Sequence, residues 1–243
     1  MFTSLENALR LLKCFSSDEP ELSLTSLSNK LNLGKSTTHR LLKTLESEGF
    51  VLQNPLNHSY SLGVSVLALT NTVTSQMKII RDANPILREL TRATGESSHL
   101  GIIEGNSLIY LQKVECEFPV HLNSHIGKRN PLHCTSCGQI LLAYQKEPFT
   151  IDLKKYTNKT ITDPIVLQEK LNEVKSQGYA VSNEELDEGI WSVAAPVYNP
   201  KKEVVAAIDV SGPLKRVNHI KQDIIKKVVE ASATLSNAIK LRS

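Results

Sequence analysis

Residues 24–45, LTSLSNKLNLGKSTTHRLLKTL, constrain the fold of this chain more than any other stretch. Leu24, Leu27 and Leu31 stand three and four apart, which gathers them on one face of a first helix. Asn32-Leu33-Gly34 interrupts the pattern, and Thr38, Leu41, Leu42 and Leu45 restart it at helical spacing. With that second stripe turned inward, Ser36, Thr37, His39, Arg40 and Lys43 point outward. Such hydroxyls and cations suit phosphate oxygens and base edges in a major groove. Gly34 falls at the N-cap, where glycine is tolerated and the first free backbone N–H groups can face a phosphate. The expected DNA contacts are Lys35, Ser36, Thr37, Thr38, His39, Arg40 and Lys43, with Thr38 counted both here and in the inward stripe.

A helical hairpin alone is also a common core unit; its neighbours argue for something more specific. Leu5, Ala8, Leu12 and Phe15 recur at helical spacing, which supplies a preceding third helix. Phe50 to Gly63 reads as two short strands around the turn-rich Asn54-Pro55-Leu56-Asn57. Three helices and a hairpin in that order predict a winged helix-turn-helix over residues 1–63. Net charge is only +3 in 243 residues, so no broad basic coat draws nucleic acid. Affinity then depends on the clustering of Lys35, Arg40 and Lys43 on one helix. One weak head of this kind points to a homodimer on a pseudo-palindromic operator in double-stranded DNA.

Gly63 to Met77, GVSVLALTNTVTSQM, carries no charge at all. A surface helix normally has a charged face, so this one is expected to be covered, either within its own domain or by its twin in a dimer. Residues 64–78 are read as a linker and dimerisation helix, with residues 79–243 as the second domain. A helix is expected over 79–94, started or kinked by Pro85. Strands are expected at 98–104, 107–114, 120–125, 180–183, 192–198 and 204–211, with helices at 134–143, 165–177 and 223–241. That mixture predicts an α+β domain with an antiparallel sheet. The N-terminus lacks an uninterrupted apolar core for a signal peptide, and no run reaches the ~20 apolar residues of a membrane span. Four cysteines without an export signal are expected to be reduced thiols in the cytoplasm.

The stretches SLENALRLLKCF, LSLTSLSNKLNLGKSTTHRLLKTLESEGFV, NPLHCTSCGQILLA, GYAVSNEELDEG and VAAPVYNPKKEVVAAIDVSGP together resemble the IclR family of transcriptional regulators. The resemblance implies a DNA-binding dimer, often paired into a tetramer. It also implies a GAF-like C-terminal domain that senses a small organic acid or related metabolite. Carried over position by position, the family's effector pocket falls on Ser182, Ile190, Ser192, Asp209 and Ser211, with Leu132, Cys137 and Gly138 closing it. Asp209 and Ser211 lie two apart on a strand and therefore share a face. A pocket-facing Asp209 would repel a carboxylate ligand, which predicts that the effector is not a simple keto acid.

Cys134 and Cys137 form a C-x-x-C beside His133, so a metal- or redox-sensing regulator is the alternative reading. No second such pair exists. His121 and His125, four apart in an expected strand, would stand ~13 Å from one another. No metal site, cofactor or catalytic residue is expected: the sequence has no G-x-S-x-G elbow, H-E-x-x-H helix or glycine-rich phosphate loop.

Overall fold

A computed structural model describes residues 3–16, 18–118, 124–146 and 150–241. It divides the chain into two compact units, Met1–Met77 and Lys78–Ser243. In the first, α1 (Ser4–Leu12) starts in a capping box: the Thr3 hydroxyl accepts the Glu6 N–H, and the Glu6 carboxylate accepts the Thr3 N–H. α2 (Leu24–Leu31) is capped by Ser23 and ends at Asn32, whose φ of 54° is left-handed backbone that asparagine tolerates. α3 (Lys35–Ser47) begins at Gly34. β1 (Val51–Gln53) pairs antiparallel with β2 (Tyr60–Leu62), and Leu22 bridges to Tyr60 from the other side. Asn54 and Asn57 shape the tip between the two strands, their side chains accepting the Leu56 and Ser59 N–H groups.

Leu11, Phe15, Leu27, Leu31, Leu42 and Tyr60 close the core of this unit. The inward face of α1 differs from the expected one, because Leu5 is 70% exposed while Leu11 is fully buried. Helix α1 carries two overlapping apolar stripes. The buried stripe is the one in register with Phe15, which packs after the helix has ended at Leu12. α4 (Ser65–Gln76) buries none of its residues within the chain. Three of its threonines donate back to carbonyls four residues earlier, so its hydroxyls are satisfied along its own axis.

The second unit opens with α5 (Lys78–Thr94), which holds Pro85 in its interior rather than starting there. Next come β3 (Ser97–Glu104), β4 (Ser107–Val114), β5 (Arg129–Asn130) and α6 (Ser136–Ala143). α7 (Pro164–Gln177), β6 (Ala180–Asn183), β7 (Ile190–Tyr198), β8 (Val204–Pro213), α8 (Leu214–Val217) and α9 (Lys221–Lys240) complete it. Of the strand expected at 120–125, residues 120–123 lie outside the described residues, and Ser124 and His125 are not in a strand.

The six strands form one antiparallel sheet in the order β5-β4-β3-β8-β7-β6. Alternation along β8 sorts its residues. Ala206, Ile208 and Val210 join the core with α5 and α9, whereas Ala207 belongs to the opposite core with α6 and α7. Asp209 and Ser211 therefore point toward the α6 side. All eight residues of α6 are buried, as expected of a helix with no polar face. These observations bear out an α+β fold, with a winged helix-turn-helix followed by helices packed on an antiparallel sheet.

Candidate DNA-reading helix and ligand cavity

On α3, Lys35, Ser36, His39, Arg40 and Lys43 are exposed and Thr37 is half-buried. Thr38 corrects the expected contact set. It is fully buried one turn before Leu42, and its hydroxyl donates to the Gly34 carbonyl at 3.2 Å. It packs the helix against its own domain and has no surface to offer DNA. Lys43 is paired with Glu46 at 2.7 Å, and that carboxylate holds the lysine pKa above its ordinary value. Arg40 has no such partner among the described residues, which leaves its guanidinium ready for a bidentate contact.

In the second unit a cavity opens on the α6 side of the sheet, with about 420 Å³ of space that includes open solvent. Its floor follows from strand register. Ser182 on β6 is opposite Ser192 on β7, which is opposite Ser211 on β8, and directly opposed residues share a face. Three hydroxyls thus stand in a row at the ~4.8 Å spacing of neighbouring strands. Ile190 also lines the cavity, and Tyr110, Ser124 and Asn130 form another wall. Cys134 and Thr135 line it from the start of α6, and Leu186 and Asp187 from the loop between β6 and β7. That loop is held in place by Thr157 and Thr160, whose hydroxyls donate to the Glu184 and Glu185 carbonyls.

Four of the eight expected pocket residues line this cavity: Ser182, Ile190, Ser192 and Ser211. The other four do not. The carboxylate of Asp209, 1% exposed, is taken up behind the wall, with Oδ1 2.6 Å from His99 Nδ1 and Oδ2 accepting the Tyr110 hydroxyl at 3.2 Å. The expected repulsion between Asp209 and an acidic ligand loses its basis, since Tyr110 stands at the wall in its place. Cys137 is turned toward the sheet, with its thiol 3.7 Å from the Ala207 carbonyl, and Leu132 packs in the same core. Gly138 is a close-approach position: a Cβ there would come within 2.2 Å of the Leu132 carbonyl oxygen. Tyr110, Ser124, Asn130, Thr135 and Asp187 escape a reading by strand alternation on β6, β7 and β8. They arrive from a distant strand, from loops and from a helix cap.

Burial pushes the Cys134 and Cys137 thiols up from their ordinary pKa, away from the thiolate that metal binding and redox exchange require. His133 is occupied too, with Nε2 3.0 Å from the Lys154 carbonyl oxygen, and burial lowers its pKa. The alternative of metal or redox sensing therefore finds no support at Cys134 and Cys137. His121 lies outside the described residues.

Beneath the cavity loop, burial lifts the Glu185 carboxyl to a pKa of about 7, against the lowering effect of the Gln139 side-chain N–H donated at 2.6 Å. A carboxyl raised in the native state binds a proton there that the unfolded chain has already released. Folding stability therefore falls as pH rises from about 4.5 to about 7. Glu185→Gln removes that dependence. Relative to the variant, wild type should lose on the order of 2 kcal/mol between about pH 5 and about pH 8. Denaturant unfolding of both proteins across that range measures the difference, and parallel curves would show that Glu185 does not titrate there.

Two family models match the chain, the IclR helix-turn-helix domain over residues 4–55 and the bacterial transcriptional regulator IclR C-terminal domain over residues 71–237. The chain belongs to the IclR family of transcriptional regulators. The HTH-type transcriptional regulator XynR of Escherichia coli (strain K12) is 34% identical over 243 residues, covering 97% of this chain and 96% of that protein. The HTH-type transcriptional regulator KdgR of the same organism is 34% identical over 205 residues, covering 82% of this chain and 78% of that one. An IclR transcriptional regulator from Alicyclobacillus acidocaldarius aligns over 98% of this chain and 99% of its own, with a TM-score of 0.83 and 27% identity. This IclR-family chain thus pairs a DNA-binding head with an effector-binding C-terminal domain. None of its described helices is long and apolar enough to cross a membrane.

Proposed function

We propose that the protein is a cytoplasmic repressor that binds a pseudo-palindromic operator as a homodimer, or a pair of dimers, and is controlled by a small molecule in the cavity beneath α6. The observation that carries this reading is the two-faced α3. Thr38 and Leu42 are sealed into the core while Lys35, Ser36, His39, Arg40 and Lys43 stand in solvent. Self-association draws support from α4, where Val64 at its start and Leu67 and Val73 within it are each more than half exposed. An uncharged helix in that state gains most from a second copy of itself. The regulator carries no chemistry of its own in this reading. Ligand shifts the balance between two arrangements by its differential affinity for them, typically ~1–3 kcal/mol.

Protection footprinting of the DNA upstream of the protein's own gene tests the proposal. The expected result is a two-fold symmetric protected region with half-sites ~34 Å or a multiple apart. Binding that is equal on all sequences, or a protein that sediments as a monomer when bound, would overturn it.

A further inference from the structure

The hydrogen-bond roles around the cavity are unequal. The Tyr110 hydroxyl donates to Asp209, Ser182 donates to the Cys134 carbonyl at 3.0 Å, and Thr135 donates to the Pro131 carbonyl at 2.8 Å. A hydroxyl has a single proton, so each of these three oxygens presents only lone pairs to a ligand. Asp187 also borders the cavity. Ser124 is 93% buried by its 7% exposure, and its hydroxyl has no partner among the described residues although it lines the cavity. Ser192 and Ser211 complete the floor with hydroxyls that can turn either way. No Lys, Arg or His stands among the described lining residues to neutralise a full charge.

Walls made mostly of acceptors select a ligand made mostly of donors. We propose that the cavity takes a neutral carbon chain bearing several hydroxyl groups, a polyol, held along the row Ser182–Ser192–Ser211 and by the Tyr110 oxygen. This rests on the reading of the cavity as the effector site. Carbons four bonds apart in an extended chain stand about 5 Å from one another, so hydroxyls at that interval can meet a floor of serines one strand apart. A dicarboxylate or a short keto acid has no protons to give the acceptors and leaves them desolvated and unpaired, which is the most costly outcome at a polar site.

The test is calorimetric titration of the full chain, without DNA, by D-glucitol, D-mannitol, D-gluconate, D-galactonate, adipate and pyruvate. D-glucitol or D-mannitol should bind, with the two aldonates, adipate and pyruvate at least about tenfold weaker. Ser192→Ala and Ser211→Ala should each weaken that binding by about tenfold while keeping the wild-type unfolding midpoint. Equal or tighter binding of an aldonate, adipate or pyruvate overturns the proposal, as does silence from both polyols or unchanged affinity in both serine variants. Omitting DNA separates this from the regulatory reading. A protein that binds D-glucitol yet protects no operator sinks only the latter, and one released from its operator by pyruvate alone sinks only the former.

Discussion

Asp209→Ala is expected to lower the stability of the second unit by about 2–5 kcal/mol, the cost of leaving two buried hydrogen-bonding partners without their acceptor. Asp209 sits on β8 between two fixed neighbours, 2.6 Å from His99 and 3.2 Å from the Tyr110 hydroxyl, with 1% of its surface in water. Alanine strips a hydrogen-bond acceptor from both at once, deep in the sheet where no solvent replaces it. Nε2 of His99 already lacks a partner among the described residues, so this imidazole has nowhere else to turn. Asp209→Asn keeps one oxygen and should cost distinctly less. Denaturant melts of the three proteins provide the comparison. An alanine variant as stable as wild type would mean that Asp209 is not a structural anchor.

Arg40→Ala should weaken operator binding by about 1–3 kcal/mol per half-site and relax preference at the base that the side chain reads. Arg40 is exposed on α3, unlike Thr38 two residues before it, and is not engaged by a neighbouring acid as Lys43 is by Glu46. Its planar fork can meet a guanine edge in two hydrogen bonds, a geometry that lysine lacks. Lys43→Ala is the control. A phosphate contact carries no sequence information, so that loss should weaken all sequences alike and reduce the salt slope by about one per contact. Band-shift titrations on the operator and on base-pair variants, each at several salt concentrations, distinguish the two residues. An Arg40→Ala protein with wild-type affinity and wild-type base preference would remove Arg40 from the reading face.

Much of the fold was legible in advance where a signal is local. The spacing of Leu24, Leu27 and Leu31 and of Leu41, Leu42 and Leu45 announced two helices, and Asn32-Leu33-Gly34 the turn between them. Strands β3, β4 and β6 likewise emerge from short β-rich runs. Four of the eleven residues that line the cavity were legible for a related reason, since Ser182, Ile190, Ser192 and Ser211 occupy strand positions inside recognisable motifs. Tyr110, Ser124 and Asp187 were not, because nothing near them in the chain says which cavity they will border.

By itself, the sequence determined the sorting of polar from apolar positions within each helix and strand, because that sorting is a property of backbone period. Tertiary structure decided which of two competing stripes on α1 turns inward, whether Asp209 meets a ligand or His99 and Tyr110, and why Gly138 admits no side chain. Those choices are made by partners far away in the chain. Asp209 is 110 residues from His99, and only the closed sheet brings β3, β4 and β8 together to set what each side chain faces.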